Sequence, residues 1–367
     1  MKIDAAVLRG RGEKLAVEQI ELDDPRENEV LVRIVATGIC HSDLAVVSGD
    51  LPLQTPIILG HEGSGVVEQV GAGVSRVRPG DHVVLTFASC GSCLPCQTGH
   101  PVYCTLSAAM NLCGTRADGS TAYRKDDESV FGHFVGQSSF ATHALVHERA
   151  AVKVDSDVPL QLLAPLGCGI QTGAGTVMNV LRPPYGSSIA VTGTGSVGLS
   201  AVLAAKAVGC QTIVAVDISP SRLRLAAELG ATHIINSGDG DLTEALREAT
   251  AGHGVDFCLD TTGVGSVITS AFGALATRGR LGLVGVSPAG TRIDLDPWAF
   301  LGGRVVEGNM EGDVVPDIFI PYLIALQQQG RFPFERIVTE CGGLASVNDA
   351  VAATQSGDVV KAVLVLS

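Results

Sequence analysis

The chain has 367 residues, of which 46% are hydrophobic and 17% are charged, a balance that is typical of a globular protein and excludes intrinsic disorder. A chain of this length is too long to fold around a single hydrophobic core, so two domains are expected. The net charge of −13 disfavours nucleic acids and anionic membranes as partners.

Short strands and turns are predicted over the first 155 residues. Apolar residues alternate within Val17–Leu22 and Val30–Ile34, and turn-forming residues bound both segments. Glycines are frequent between residues 60 and 80, where several short strands would turn sharply. Helical periodicity is weak in this region, so a mostly-β domain is expected.

Strands and helices are predicted to alternate after about Pro159. The predicted strands are Ser188–Thr194, Thr212–Asp217, His233–Asn236, Val255–Asp260 and Arg280–Val286. The predicted helices are Ser196–Val208, one that opens at Ser219–Pro220, Asp241–Ala251 and Gly265–Thr277. This alternation implies right-handed crossovers and a parallel sheet covered on both faces. The predicted fold class is therefore α/β, a doubly wound parallel sheet beside a mostly-β domain.

The amino-terminal residues and the cysteines indicate a cytoplasmic protein. Asp4, Arg9, Arg11 and Glu13 interrupt any apolar start, so no secretory signal is visible. The uncharged stretch from Pro183 to Ala205 contains several glycines, which favours a strand, a turn and a helix over a membrane span. Ten cysteines without a signal favour metal ligation in a reducing compartment over disulfides.

A glycine-rich turn indicates a dinucleotide site. Gly193, Gly195 and Gly198 have GxGxxG spacing between a predicted strand and a predicted helix. The first glycine allows the turn, the second admits a pyrophosphate, and the third lets the helix pack on the strand. Ser196 and Val197 open the helix, whose free N–H groups favour phosphate. The motif alone is weak in a chain with 45 glycines.

The position of Asp217 strengthens the prediction of a dinucleotide site. Asp217 ends the next predicted strand, where its carboxylate would accept both hydroxyls of an adenosine ribose and repel a 2′-phosphate. NAD is therefore favoured over NADP. An ordinary turn role for Asp217 is the alternative. Arg222 is expected one turn into the next helix, where its positive charge would weaken the preference for NAD over NADP. The alternatives are that Arg222 lies on the ribose face or is solvated.

Four cysteines predict a structural zinc site. Cys90, Cys93, Cys96 and Cys104 have the pattern CxxCxxC followed by a seven-residue gap, so one tetrahedral ion can bind all four thiolates. Iron–sulfur sites that begin in the same way continue with a three-residue gap and Cys-Pro, which this chain lacks. The other alternative is a set of thiols without metal.

A second, dispersed set of residues predicts a catalytic zinc. Cys40, His61 and Cys168 supply two sulfurs and one nitrogen, and a position is left for solvent or substrate. Asp43 is expected to accept the second N–H of His61, as metal-bound histidines usually require. Glu62 adjoins the ligand and is expected to approach the ion when the outer ligand exchanges. Taken singly, each of these residues is more often a core or turn residue.

The order of these motifs resembles that of the zinc-dependent medium-chain alcohol dehydrogenases. The motifs span almost the whole chain and comprise Cys40–Asp43, Gly60–Glu62, the four clustered cysteines, Gly167–Gly169 and Gly193–Gly198. Within that superfamily, Pro165–Gly175 and Phe131–Phe140 look most like aryl-alcohol (benzyl alcohol) dehydrogenases. The resemblance implies a GroES-like catalytic domain and a Rossmann domain that binds NAD, with two zinc ions per chain.

Domain limits follow from the composition and the resemblance. Residues 1–165 are predicted to begin the catalytic domain, residues 166–310 to form the Rossmann domain, and residues 311–367 to complete the catalytic domain. The tail is expected to return to the first domain because it is short for a domain of its own. The metal would then lie in the cleft between the domains. A homodimer or homotetramer is also implied by the resemblance.

The family mechanism suggests further roles. The zinc would polarise the alcohol oxygen, and a hydride would pass to carbon 4 of the nicotinamide. Ser42 would begin the exit of the proton, and His41 would face the pyrophosphate. Ala45 stands where many relatives carry a histidine, so the proton would leave through His41 or from the ribose to water.

The resemblance also suggests cofactor contacts. Thr172 and the backbone of Val284, Gly285 and Val286 would border the nicotinamide. Lys361 lies where relatives carry a cation for phosphate. Each of these residues also has an ordinary structural role as its alternative.

The substrate is expected to be a primary aromatic or allylic alcohol. Phe87 and Phe134 are the predicted pocket walls, since aromatic walls suit a flat apolar alcohol, although core packing is the commoner role of phenylalanine. Glutathione-dependent formaldehyde dehydrogenases carry an arginine shortly after the fourth cysteine, and Thr105–Met110 contains none. A terpenoid alcohol, a polyol and a non-enzymatic nucleotide-binding protein are the alternatives.

Overall fold

The computed structural model describes residues 1–155, 157–288 and 290–366. These residues form two compact units. The β-rich unit comprises Met1–Cys168, Val315–Ile324 and Val338–Ser367. The α/β unit comprises Gly169–Val314 and Ala325–Ile337.

The two units contain strands and helices that are numbered in chain order. The strands are β1 (Lys2–Leu8), β2 (Ala16–Leu22), β3 (Glu29–Gly38), β4 (Ile57–Ile58), β5 (Gly63–Val70), β6 (His82–Leu85), β7 (Tyr123–Lys125), β8 (Glu128–Val130), β9 (His143–His147), β10 (Ala151–Lys153), β11 (Ser188–Thr192), β12 (Thr212–Asp217), β13 (His233–Asn236), β14 (Val255–Asp260), β15 (Leu275–Leu283), β16 (Val305–Gly308), β17 (Val338–Glu340) and β18 (Lys361–Val365). The α-helices are α1 (His41–Ser48), α2 (Leu94–Gln97), α3 (Ser107–Asn111), α4 (Leu160–Leu163), α5 (Gly169–Gly175), α6 (Ser196–Val208), α7 (Pro220–Leu229), α8 (Leu242–Glu248), α9 (Gly265–Gly273), α10 (Pro297–Phe300), α11 (Pro316–Gln328) and α12 (Val347–Ser356). Over the described residues, no helix combines the length and the apolar character that a membrane crossing needs.

The β-rich unit is built on two sheets that share one core. One sheet has the order β4-β1-β2-β7-β8, and the other has the order β10-β6-β5-β3-β18-β17, with β9 also paired to β3. Strand β3 has Val30, Val32, Ile34 and Ala36 buried, because it is flanked by β5, β9 and β18. The carboxy-terminal strand β18 therefore completes the sheet that begins in the first forty residues.

The α/β unit is a doubly wound parallel sheet. Its strand order is β13-β12-β11-β14-β15-β16, and every neighbouring pair is parallel. This is the Rossmann order 3-2-1-4-5-6, in which ligands bind beyond the carboxyl ends of the central strands. The predicted α/β class is confirmed.

Several element boundaries differ from the sequence prediction, and two junctions show the physical reason. Strand β11 ends at Thr192, because Gly193 turns to a φ of +85° and leaves the extended region. Helix α9 ends at Gly273, and β15 already begins at Leu275, which is buried and pairs with Val255 of β14. Tertiary pairing thus outweighs the local helical pattern that extended the prediction to Thr277.

The unit limits also differ from the predicted domain limits. The β-rich unit runs through Cys168, whereas the predicted limit follows residue 165. Residues 325–337 belong to the α/β unit. There Arg331 donates to the carbonyl of Ala207 at 3.2 Å, and Arg336 pairs with Glu228 at 2.5 Å.

A buried polar cluster joins the start of β3 to the end of β2. The guanidinium of Arg116 donates to both carboxylate oxygens of Glu29, at 2.7 and 3.1 Å, and to Asp23 at 3.0 Å. His133 lines a cavity of about 280 Å³ with Arg116 and Glu29. Its Nε2 is buried without a hydrogen-bond partner among the described residues, and burial lowers the pKa of His133 to about 4.

The low pKa of His133 predicts a loss of stability in acid. The folded chain keeps this imidazole neutral down to a pH of about 4, whereas the unfolded chain takes up the proton near 6.5. Stability is therefore complete above pH 6.5 and falls as the pH decreases toward 4. Because asparagine tolerates the φ of +54° at this position, His133→Asn should fold and show a flatter dependence of melting temperature on pH over this window. The exposed His253→Asn is the control, and equal slopes for His133→Asn and the wild type would contradict the assignment.

Candidate active site

The β-rich unit brings Cys40, His61 and Cys168 together. Their ligand atoms all lie within 4.8 Å of one another. Cys40 lies between β3 and α1, His61 lies just before β5, and Cys168 lies just before α5. Three segments far apart in sequence thus converge on one point.

Asp43 fixes two of these ligands. Its Oδ2 accepts from the backbone N–H of Cys40 at 3.0 Å, and its Oδ1 accepts from the N–H of Gly60 at 3.0 Å. The same Oδ1 lies 3.1 Å from Nδ1 of His61, so the ring presents Nε2 on its other side. Asp43 and His61 are both 1% exposed. One carboxylate therefore sets the position of a sulfur and the orientation of an imidazole.

Cys168 is positioned by a close contact between two backbones. The preceding Gly167 lies so near β6 that a Cβ on it would come within 1.9 Å of the carbonyl oxygen of Leu85. The hydroxyl of Thr86 donates to the carbonyl oxygen of Gly167 at 2.8 Å. Only glycine fits at position 167, and this explains the glycine that precedes Cys168.

This set of side chains fits zinc. Nε2 of His61 is buried and has no hydrogen-bond partner among the described residues, which suits a nitrogen that binds a metal. The pKa of the Cys40 thiol is held well below its usual range by a hydrogen bond from Cys168 and by the charges of Lys361 and His61, against burial, which raises it. A thiolate is the form that binds zinc. Two sulfurs and one nitrogen are the ligands of a catalytic zinc with one open position.

Lys361 and Glu62 form a buried ion pair beside this site. Nζ of Lys361 donates to Oε1 of Glu62 at 2.8 Å and to the carbonyl of Ile39 at 3.0 Å. Burial raises the pKa of Glu62 to about 7, and the charge of Lys361 opposes this rise. Lys361 is 1% exposed, so its expected role as a phosphate cation is corrected: its charge is used inside the β-rich unit. Glu62 is 0% exposed and bonds Lys361, and its approach to the ion during ligand exchange stays a prediction.

The residues of the predicted proton path lie on the first turns of α1. His41 is exposed and Ser42 is half-buried at the start of the helix. Ala45 is half-buried one turn later and carries no group that transfers a proton.

The four clustered cysteines also converge. The ligand atoms of Cys90, Cys93, Cys96 and Cys104 lie within 4.8 Å of one another, and Sγ of Cys93 is 3.4 Å from Cys96 and 3.8 Å from Cys104. Sulfurs around a tetrahedral zinc are about 3.8 Å apart, given bonds of about 2.3 Å. Backbone N–H groups of Cys90, Cys93 and Leu106 point at sulfurs of the cluster, as thiolates favour. The cluster fits a structural zinc.

In the α/β unit, the glycine turn joins β11 to α6. A Cβ on Gly198 would lie 1.8 Å from the carbonyl oxygen of Gly193, so the helix can pack here only with glycine. A Cβ on Gly195 would meet nothing within 4 Å, so open space lies above the turn beside the amino-terminal residues Ser196 and Val197 of α6. Thr261, which sequence reasoning missed, donates its hydroxyl to the carbonyl of Gly193 at 3.1 Å.

Asp217 lies at the end of β12 and holds the same turn. Its Oδ2 accepts from the N–H and the hydroxyl of Thr194, both at 2.7 Å, and its Oδ1 accepts from the N–H of Ser219 at 2.9 Å. Although burial raises the pKa of Asp217, the hydrogen bonds from Thr194 hold it below its ordinary value. The charge of Arg222 acts in the same direction, and Nε of Arg222 has no partner among the described residues.

The expected nicotinamide contacts lie in the α/β unit as well. Thr172 of α5 is 6% exposed and donates its hydroxyl to Glu311 at 3.2 Å. Gly285 lies so near Gly263 that a Cβ on it would come within 2.4 Å of the backbone nitrogen of Gly263, so the 284–286 segment lies against the loop after β14. Val286 is 83% exposed. Glu311 had no predicted role, and its only signal in the sequence is its place at the expected domain limit.

The two phenylalanines predicted as pocket walls occupy different places. Phe134 is fully buried, and its ring meets the ring of His61 edge-on, with centroids 5.2 Å apart. It therefore supports the imidazole and offers no exposed surface to a substrate, which corrects the expectation. Phe87 lines a cavity of about 100 Å³ beside Cys96 and Arg149, and none of the three converging ligands lines that cavity.

Comparison with known proteins identifies both halves of the chain. Residues 26–156 match the alcohol dehydrogenase GroES-like domain, and residues 196–327 match the zinc-binding dehydrogenase family. The geraniol dehydrogenase of Castellaniella defragrans is 44% identical over 98% of this chain and 97% of its own length.

Two solved structures resemble the whole chain. An alcohol dehydrogenase zinc-binding domain protein from Burkholderia ambifaria is 49% identical with a TM-score of 0.97, covering 100% of this chain and 99% of its own. The benzyl alcohol dehydrogenase of Acinetobacter calcoaceticus is 42% identical with a TM-score of 0.96, covering 100% of both chains. The predicted pairing of a GroES-like domain with a Rossmann domain is confirmed. The chain belongs to the zinc-dependent medium-chain alcohol dehydrogenase family.

Proposed function

We propose that this alcohol dehydrogenase oxidises primary aromatic or allylic alcohols of the benzyl alcohol type to aldehydes, reversibly, with NAD as the hydride acceptor. The observation that carries the proposal is the convergence of Cys40, His61 and Cys168, whose two sulfurs and one nitrogen lie within 4.8 Å. This is the ligand set of a catalytic zinc that leaves one position for substrate.

Two relatives support the substrate class. Geraniol dehydrogenase is 44% identical and benzyl alcohol dehydrogenase is 42% identical to this chain. Both alcohols carry the hydroxyl on a carbon bonded to an sp² carbon, so both yield conjugated aldehydes. An alternative within the family is a terpenoid alcohol of the geraniol type, which the first relative favours.

In the proposed reaction, residues of the β-rich unit would hold the metal and carry away the proton of the alcohol. When bound, the zinc lowers the pKa of the alcohol hydroxyl, and NAD accepts the hydride. Asp43 retains the Nδ1 proton of His61, so Nε2 is the nitrogen that binds the metal. Ser42 takes the proton from the hydroxyl. Because Ala45 cannot pass it on, the proton leaves through His41 or from the ribose to water.

NAD is the proposed cofactor because of the charge at the end of β12. Hydrogen bonds from Thr194 keep Asp217 ionised, and a carboxylate at this place accepts ribose hydroxyls and repels a 2′-phosphate. Ser196 and Val197 would give their N–H groups to the pyrophosphate.

We also propose a cytoplasmic homodimer or homotetramer. Trp298, Leu301 and Val305 are 76%, 75% and 41% exposed, in and near the edge strand β16. A sheet edge beside large apolar side chains is a surface that a second copy can cover.

Removal of one ligand tests whether the chain is an enzyme or only a nucleotide-binding protein. Cys168→Ala leaves the four-cysteine cluster intact, so we expect zinc to fall from two ions per chain to one, together with loss of alcohol oxidation. Metal analysis after dialysis measures the zinc content per chain, and the absorbance of NADH measures the rate of alcohol oxidation. Cys113→Ala is the control, since this exposed cysteine lies outside both clusters. If Cys168→Ala retained both ions and full activity, the proposed site would be wrong.

A substrate series tests the proposed alcohol. We expect kcat/KM for benzyl alcohol to exceed that for ethanol by about tenfold or more, because the larger apolar group contributes binding energy in the transition state. Geraniol, cinnamyl alcohol and a polyol complete the series. A preference for ethanol would overturn the substrate class, and a clear preference for geraniol would favour the terpenoid alternative.

A methyl group on the glycine turn tests the dinucleotide site. Since a Cβ on Gly195 meets nothing within 4 Å, Gly195→Ala should melt at the wild-type temperature, yet block the approach of a pyrophosphate and raise the Kd for NADH about tenfold. Quenching of protein fluorescence or enhancement of NADH fluorescence measures the Kd. Gly198→Ala is the matched contrast, because its Cβ meets the carbonyl of Gly193 and should lower stability. Wild-type NADH binding by Gly195→Ala would place the cofactor elsewhere.

A further inference from the structure

The segment from His133 to Phe140 has an unusual backbone beside the metal ligand His61. His133, Val135 and Ser138 have φ values of 54°, 48° and 60°, in the left-handed region that residues with side chains rarely adopt. A β-branched residue such as Val135 is especially unfavourable there. Strained backbone persists where the surrounding structure requires it, and it clusters at functional sites.

This segment pairs with the stretch of backbone that contains His61, partly through backbone hydrogen bonds and partly through a side chain. The N–H of Phe140 donates to the carbonyl of Leu59, and the N–H of Ser139 donates to the carbonyl of Gly60, both at 2.9 Å. The left-handed residue Ser138 then turns the backbone away. Beyond this point the pairing passes to a side chain, that of Gln137.

The side-chain amide of Gln137 acts as a peptide group would in a paired strand. Its Nε2 donates to the carbonyl oxygen of His61 at 2.8 Å, and its Oε1 accepts from the N–H of Gly63 at 2.9 Å. Gln137 is 0% exposed, so water does not replace either bond when the amide is lost. Buried peptide groups without partners are costly, so this amide helps to hold the backbone of residues 61–63, together with the N–H of Gly38, which donates to the carbonyl of Glu62 at 2.9 Å.

The same segment also contacts the imidazole. The ring of Phe134 meets the ring of His61 at an interplanar angle of 88°. His61 is thus held by Asp43 at Nδ1, by Phe134 on the ring and by Gln137 on its own carbonyl. Of these three supports, only Gln137 acts on the backbone of the ligand itself.

We propose that Gln137 is a positioning residue of the catalytic zinc, which sets the backbone of His61 so that Nε2 reaches the metal. This rests on the proposed zinc site at Cys40, His61 and Cys168. Gln137 touches neither substrate nor metal, so its loss should appear first as weaker zinc binding at this site and not at the four-cysteine cluster. Partners that orient a metal ligand are typically worth about 10- to 100-fold in metal affinity.

The test is zinc retention in Gln137→Met. Methionine keeps the length and volume of the side chain but removes both hydrogen bonds. The protein is dialysed with zinc, then challenged with a chelator at a temperature well below the melting point of each variant, and metal per chain is followed with time. The wild type should hold two ions. We expect Gln137→Met to lose one ion at a chelator concentration about tenfold lower than the wild type requires, and to keep the other.

Two further variants make the result decisive. Ser139→Ala removes a buried hydroxyl that bonds Thr37 at 2.7 Å, in the same segment but with no side-chain hydrogen bond to residues 61–63, and should retain both ions as the wild type does. If Gln137→Met does not fold, Gln137→Leu replaces it, since leucine has a similar volume, carries no charge and also removes both hydrogen bonds. A cobalt-substituted sample adds an absorption spectrum that a purely structural role would leave unchanged.

The possible outcomes separate this inference from the proposed function. Wild-type chelator resistance in Gln137→Met, or in Gln137→Leu where that variant is used, overturns the role of Gln137, whatever the melting temperature. A wild-type chain that holds zinc only in the four-cysteine cluster overturns the catalytic zinc site itself. Selective loss of one ion in the Gln137 variant, with retention in Ser139→Ala, supports the inference.

Discussion

The active site of the β-rich unit depends on one buried carboxylate. Asp43 accepts from the N–H of Cys40, from the N–H of Gly60 and from the ring of His61. A carboxylate that is 1% exposed is tolerated only when it is fully hydrogen-bonded, so the segments before α1 and before β5 have to come together around it. The relative positions of Cys40 and His61 are therefore a consequence of satisfying one buried charge.

The other buried charges near this site are also compensated by partners of opposite charge. Glu62 and Lys361 are both buried and neutralise each other, with Nζ and Oε1 2.8 Å apart. Two thiolates at Cys40 and Cys168 would be neutralised by a divalent ion. A buried ion pair contributes little net stability, because desolvation offsets much of the attraction. Either charge alone would be strongly unfavourable at this buried place, so the two side chains have to come together.

The sequence predicted well which side chains come together where this depends on residue type and spacing, and it predicted less well which side chains are buried. The convergence of Cys40, His61 and Cys168 and the glycine turn could be predicted because sulfur, imidazole and glycine have few substitutes in such roles. Lys361 and Phe134 were assigned to cofactor and substrate because nothing in their neighbours along the chain shows that both are buried. Gln137 had no predicted role for the same reason: its partners, His61 and Gly63, lie more than seventy residues earlier.

By itself, the sequence determined the types of metal ligand, the doubly wound sheet and the place of the dinucleotide turn, because each follows from local spacing and periodicity. Only the tertiary structure decided which polar side chains support those ligands. Lys361 and Glu62 are separated by 299 positions, and β18 brings them together by pairing with β3. Buried polar groups need hydrogen-bond partners, and in the core these partners come from residues far away in the sequence. Such long-range contacts leave no pattern in the neighbouring sequence.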